Sequence, residues 1–281
     1  MTPDVDALVR AELAADLGHG GDITSRALIP AERLGEATLL AKHTGVAAGT
    51  DAAAHAFRVM DPDTEIAVHT PDGTPVGAGS VMLTARAPVR ALLAAERTAL
   101  NLLGHLGGIA TATATLVRAV APHGARLADT RKTTPGLRGP EKAAVRAGGG
   151  MNHRHGLDGG VLIKDTHRAL AGADGLAALV RAARAEAGHM RAVAIEVETL
   201  DEVDAAMRGE PDVVLLDNMD TATMAEAVRR IGGRATVEAS GGIAPETAAE
   251  VARAGVDVLS VGWITHSAPA LDVSLRLTPA G

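Results

Sequence analysis

Residues 193–243 read VAIEVETLDEVDAAMRGEPDVVLLDNMDTATMAEAVRRIGGRATVEASGGI. Three short apolar runs, Val193–Val197, Val213–Leu216 and Thr236–Ala239, alternate with two stretches of helical spacing, Leu200–Arg208 and Thr221–Ile231. Runs that are apolar without alternation read as strands buried on both faces, and the intervening helices supply the cover. The rhythm extends outward. Further runs lie at Ala125–Ala128, Val161–Ile163 and Val256–Val261, and further helical stretches at Pro140–Ala147, Asp174–Ala187 and Pro245–Ala254. A parallel α/β sheet follows, as a barrel or as an open sheet.

Upstream the rhythm is irregular. Asp4–Leu17 has helical spacing, and the glycines of Asp16–Thr24 mark a turn. Ala37–Ala41, Val46–Ala48, Thr64–His69 and Val81–Ala85 read as strands. Pro88 opens a helix expected to end near Leu106, with Arg90, Arg97 and Asn101 on a polar stripe. Two domains are therefore expected.

Polar groups cluster where the later runs end: Arg131 and Lys132, Lys164 and Asp165, Glu198, Asp217 and Asn218, Ser240-Gly241-Gly242, and Gly262. In an α/β barrel these ends converge on one face, where active sites sit. Residues 129–168 hold eight Lys/Arg against four acids, with three histidines and eight glycines, in a chain of net charge −7. A basic island in an acidic chain points to bound anions, held by side chains and backbone together.

Each motif has competing readings. Thr130-Arg131-Lys132 is an anion grip or a solvated loop. Gly148-Gly149-Gly150 ends a helix or admits a large ligand, and His153 with His155 lacks a third metal ligand at matching spacing. Lys164 binds an anion, forms a Schiff base, or pairs with Asp165. Glu198 and Asp217 suit Mg²⁺ bridging to phosphate, with Glu196, of the same strand parity, as the competitor. Ser240-Gly241-Gly242 and Gly262 suit a phosphate. The sequence has no P-loop and no dinucleotide fingerprint.

Composition narrows the classes. Acidic charge and only one Phe, one Trp and no Tyr argue against nucleic-acid binding. The absence of cysteine excludes thiolate chemistry. No run of eighteen consecutive apolar residues suggests a membrane span, and the N-terminal residues lack a signal-peptide pattern, so a cytoplasmic protein is expected.

Several long motifs, in order, resemble the quinolinate phosphoribosyltransferase family. They are LGHGGDIT (17–24), ERTALNLLGHLGGIAT (96–111), DTRKTTPGLR (129–138), EKAAVRAGGGMNHRHGL (141–157), LIKDTH (162–167), IEVETL (195–200), LLDNM (215–219), EASGGI (238–243) and VGWITHSAPALDVSLRL (261–277). The resemblance implies an N-terminal α/β sandwich-like domain, 1–112, onto which a tail at 268–281 packs back. It also implies an incomplete TIM-like α/β barrel, 113–267. It implies a homodimer or higher oligomer in which Arg97 crosses to the neighbour's site.

The implied reaction joins quinolinate to phosphoribosyl pyrophosphate with loss of CO₂ and pyrophosphate, giving nicotinate mononucleotide for NAD biosynthesis. Carried over by motif, Arg97, Arg131, His153, Arg154 and Lys164, with Thr130 beside them, would meet the dicarboxylate. Lys132, Glu198 and Asp217 would serve catalysis, the two carboxylates with Mg²⁺. Ser240, Gly241, Gly242 and Gly262 would cradle the 5′-phosphate. The chain departs from the family pattern at Gly107, Ala143, Gly159, Thr166 and Trp263. None of these removes an assigned charge, but together they leave room for a paralogue acting on another heteroaromatic acid.

Overall fold

The computed structural model describes residues 3–171 and 175–280. In chain order its elements begin α1 (Pro3–Leu17), α2 (Ile23–Leu28), β1 (Leu34–Ala41), β2 (Gly45–Val46), α3 (Thr50–Met60), β3 (Glu65–Val68), β4 (Pro75–Val76), β5 (Val81–Pro88) and α4 (Val89–Val120). They continue with β6 (Arg126–Ala128), α5 (Arg138–Ala147), β7 (Val161–Ile163), α6 (Asp165–Leu170), α7 (Leu176–Ala187), β8 (Val193–Val197), α8 (Leu200–Met207) and β9 (Val213–Asp217). The last are α9 (Thr221–Ile231), β10 (Thr236–Ser240), α10 (Ala248–Arg253), β11 (Val258–Ser260), α11 (Trp263–His266) and β12 (Val273–Pro279). Of the expected helix Asp174–Ala187, Asp174 lies outside the described residues.

Two compact units are present. One comprises 1–114, 133–149 and 264–281, and the other 115–132 and 150–263. A single boundary at 112/113 would have placed 133–149 with the barrel, but these residues group with the first unit.

The first unit is built on an antiparallel sheet of order β12-β1-β5-β3. Along β1 burial alternates: Ala37, Leu39 and Ala41 face the core while Leu34 and Glu36 face out, as a sheet with one covered face requires. The inward residues meet Phe57 of α3 and Leu92, Ala95, Ala99 and Leu103 of α4, all at most 1% exposed. Alanine is the most frequent residue in this core. The tail supplies β12, which pairs with β1 from Gly35↔Pro279 to Ala41↔Val273.

Helix α4 continues to Val120 rather than ending near Leu106. Its glycines form a contact face for the tail. A Cβ on Gly108 would lie 2.2 Å from the Pro269 carbonyl oxygen and 2.9 Å from Ala270 Cα. The Leu271 amide donates to the Gly104 carbonyl at 2.8 Å. Each glycine costs the helix about 1 kcal/mol in propensity, and the close approach of the tail offsets it. The stretch Val89–His123 is long and apolar enough to cross a membrane by length and composition, but 61% of its most apolar window is buried inside the protein.

The second unit is a parallel sheet of order β6-β11-β10-β9-β8-β7. The last strand of the series, β11, pairs with the first, β6. That pairing of last strand with first is the neighbour order of a barrel. On its other side β6 bridges Met151, which follows it in sequence. No ladder among the described residues joins Met151 to β7, so the barrel is incomplete there. Side-chain caps start two of the outer helices just past the strands: Thr199 accepts from the Glu202 amide and Asp220 from the Thr223 amide.

Candidate active site

Parallel register decides which side chains enter the barrel. Glu196 of β8 pairs with Leu215 of β9, and Leu215 with Glu238 of β10, so the three share one inward row. Ser240 pairs with Asp217 in the next row toward the strand ends. Lys164 follows Ile163, whose partner is Ile195, and so falls beside Glu196. These rows and the segments after β6 and Met151 line a cavity of about 290 Å³ within the second unit. Its walls carry Thr130, Arg131, Lys132, His153, Arg154 and Lys164, together with Glu196, Glu238, Ser240 and Ser260 and two apolar faces, Leu162 and Leu215.

The cations divide by environment. Lys164 Nζ lies 2.5 Å from Glu196 Oε2, so its partner is Glu196 and not the adjacent Asp165, which opens α6. Arg131 and Arg154 each bury an Nε with no hydrogen-bond partner. A head-group nitrogen of Arg154 donates to the Gly160 carbonyl at 2.8 Å. Burial, and then the positive charge of Arg131, hold the Arg154 guanidinium below its usual value. Two guanidiniums beside one another, each with a buried Nε unspent, are a place an anion would relieve. Lys132 is exposed, and its amide donates to Thr130 Oγ1 at 3.0 Å.

Asp129, fully buried at the end of β6, places His153: its carboxylate accepts from the His153 amide at 2.8 Å and from Asn152 Nδ2 at 2.7 Å. His153 Nε2 lies 3.5 Å from Glu238 Oε1. That separation is an ion-pair approach and too long for a hydrogen bond, and Glu238 Oε1 has no hydrogen-bond partner. Sequence reasoning missed Asp129 and Glu238. An acid within an apolar run, as in TVEAS, was the available signal for the second.

Of the paired carboxylates, Asp217 is half-buried at the end of β9. Burial, and then the charge of Glu196, push its carboxyl above the ordinary value; Lys164, the Asn218 amide group and Lys132 pull the other way. Glu198 does not line the cavity. Strand β8 ends at Val197, Glu198 is exposed, and its amide donates to Glu202 Oε2 at 2.8 Å. Glu196, the competing candidate, lines the cavity. No group of three or more His, Asp or Glu suited to a metal occurs among the described residues. Two carboxylates with opposing charges near them nevertheless match Mg²⁺, which takes most of its ligands from water and substrate oxygens.

Past β10 the chain turns through Gly241 and Gly242 at φ +96° and +58°. Both values lie in the left-handed region that glycine tolerates. A Cβ on Gly241 would sit 2.1 Å from Asn218 Oδ1. Gly262, half-buried, follows β11. Arg97 belongs to the first unit: it lies on α4 and lines a cavity there with Asn101, His105 and Asp272. Two of the remaining cations of the island have protein partners. Arg168 donates to the Glu196 carbonyl at 3.1 Å and pairs with Glu202, and Arg138 donates to Thr133 Oγ1 at 3.0 Å.

Two family models match the chain: quinolinate phosphoribosyl transferase, N-terminal domain, over residues 22–107, and C-terminal domain, over 109–276. A carboxylating nicotinate-nucleotide pyrophosphorylase of Mycobacterium leprae (strain TN) is 42% identical, covering 96% of this chain and 95% of that protein. A probable carboxylating nicotinate-nucleotide pyrophosphorylase of Bacillus subtilis (strain 168) is 39% identical over 94% of this chain and 90% of its own length. The crystal structure of NadC from Streptococcus pyogenes superposes with a TM-score of 0.94 at 36% identity, covering 100% of this chain and 99% of that one.

Proposed function

The chain belongs to the quinolinate phosphoribosyl transferase family, and from that premise we propose that its barrel cavity joins quinolinate to phosphoribosyl pyrophosphate, releasing pyrophosphate and CO₂ and leaving nicotinate mononucleotide. One observation carries the reading: Arg131 and Arg154 hold buried, unsatisfied donors in a cavity that also holds Lys132 and Lys164. A substrate with two carboxylates and a cosubstrate with a phosphate and a pyrophosphate supply the charge these groups lack.

Arg131, Arg154 and His153 bind the pyridine dicarboxylate, with Leu162 and Leu215 as apolar walls for its ring. The glycine turn at 241–242, Ser240 and Gly262 hold the 5′-phosphate by backbone amides. Lys132 faces the pyrophosphate. Glu196 and Asp217 would hold Mg²⁺, which when bound neutralises charge on pyrophosphate oxygens. Glu196 thus takes the place the sequence assigned to Glu198.

The pyridine nitrogen forms the new bond to the anomeric carbon as the bond to pyrophosphate breaks, and the leaving oxygens take the electron pair. Lys132 stabilises that developing charge. The ring becomes cationic. The C–CO₂ bond beside the nitrogen then breaks, its electron pair stays on the ring carbon under the nitrogen's positive charge, and that carbon takes a proton from solvent. No histidine need act as a base.

The active unit is a homodimer, with Arg97 of the partner subunit completing the dicarboxylate pocket, and the protein works in the cytoplasm. The test is turnover with Mg²⁺ and phosphoribosyl pyrophosphate across a panel of pyridine and azine carboxylates, following CO₂ and pyrophosphate. Quinolinate should give both products in equal amounts. A preference for nicotinate, with pyrophosphate but no CO₂, would assign the cavity to a different acid.

A further inference from the structure

Two consecutive glycines at positive φ give the turn after β10 many accessible conformations, so a single phosphate-ready conformation needs outside support. The structure holds it from two sides. On the first side the Asn218 amide donates to the Ser240 carbonyl at 3.0 Å, and the Asn218 side chain packs directly over Gly241. On the second side Trp263 Nε1 donates to the Ile243 carbonyl at 2.9 Å. Ile243 closes the turn and is 5% exposed. Trp263 itself directly follows Gly262, so its indole ties the segment after β11 to the turn after β10. These are the two segments assigned above to the 5′-phosphate. An indole has one donor, and here the Ile243 carbonyl takes it.

We infer that Trp263 is a positioning residue for the phosphate end of the cosubstrate: its indole N–H fixes the Gly241-Gly242 turn and so sets affinity for a sugar 5′-phosphate without touching it. The inference rests on the functional reading above for the identity of that ligand. It predicts a selective effect. Removing the N–H should weaken the phosphate-bearing substrate and leave the pyridine acid, held by Arg131 and Arg154, unaffected.

The chain has one tryptophan, so growth in a tryptophan auxotroph on benzothienylalanine, an isostere with sulfur in place of N–H, replaces Trp263 alone and keeps its bulk. Calorimetric titration with ribose 5-phosphate should show binding about three- to tenfold weaker in the substituted protein, the range one neutral hydrogen bond spans. KM for phosphoribosyl pyrophosphate should rise by a similar factor while KM for quinolinate stays within about twofold. Trp263→Phe should reproduce the direction. Equal shifts in both substrates, no shift in either, or no binding of ribose 5-phosphate to the native protein would overturn the inference. Weakened ribose 5-phosphate binding without any turnover of quinolinate would uphold Trp263 and reject quinolinate as the substrate.

Discussion

Lys164, just past the end of β7, and Glu196 of the adjacent parallel strand β8 face one another at 2.5 Å. The pair lies in the cavity wall, so the two residues should not act independently. Lys164→Ala and Glu196→Gln should each lower kcat/KM by about 10²–10³, a typical cost for one well-placed polar group. The double variant should lose much less than the product of the two, because neighbours in one network couple. Kinetics of the four proteins give the answer; strictly multiplicative losses would place the two residues in separate roles.

Asp217 gives a stability prediction of opposite sign to its functional one. Its folded-state carboxyl is raised, chiefly by burial and then by Glu196. The folded protein therefore binds that proton more tightly than the unfolded chain. This group's contribution to stability falls as pH rises from the ordinary carboxylate value through the raised one. Asp217→Asn should melt at a higher temperature than the parent at neutral pH, with the gap closing as pH falls below the ordinary carboxylate range. The same variant should lose turnover. Melting curves down a pH series, beside an activity assay, check both.

Arg97 lies in the first unit and lines a cavity other than the one that holds Arg131 and Arg154. If each site borrows this residue from a neighbour, Arg97→Ala and Lys132→Ala should each be inactive alone. Unfolded and refolded together they should regain up to about a quarter of parental activity, since a random heterodimer carries one intact composite site. Activity that stays at background in verified heterodimers would mean that Arg97 serves its own chain or none.

Gly108→Ala tests the glycine face of α4. The new methyl would meet the Pro269 carbonyl oxygen at 2.2 Å, a backbone atom that cannot swing aside. We expect a loss of about 1–3 kcal/mol, the usual range for overpacking a close contact, despite alanine's better helix propensity. Denaturant titration measures it. Gly136→Ala, with no atom within 4 Å but φ +80°, serves as a control in which strain acts without overlap.

The barrel was legible because its strands are short apolar runs between helical ones; β7 and β8 fall where Val161–Ile163 and Val193–Val197 were read. Position within a run was harder. Glu196 and Glu198 share strand parity, and only the ladder, whose last pair on this edge is Val197↔Leu216, shows that the strand stops before Glu198. Periodicity fixes which face a residue takes but not where pairing ceases. The length of α4 was misjudged for a related reason. The glycines at 104, 107 and 108 pack against the Pro269–Leu271 segment, more than 150 residues away in sequence, so nothing local shows that the helix runs on past Leu106. The paired carboxylate and histidine Glu141 and His105, 2.8 Å apart, likewise lie on different helices with no local pattern to announce them.

The placement of β12 beside β1 has a consequence for synthesis on the ribosome. Strand β1 is made more than 230 residues before its partner on that edge, since Ala41 pairs with Val273. At about 5–20 residues per second, that edge waits tens of seconds for its mate. Throughout that interval the nascent chain presents an open row of strand amides and carbonyls, the kind of surface that recruits a neighbouring chain. The later barrel can settle while the earlier unit is still unfinished. Arrival of the seven-residue strand β12 is the step that retires the exposed edge.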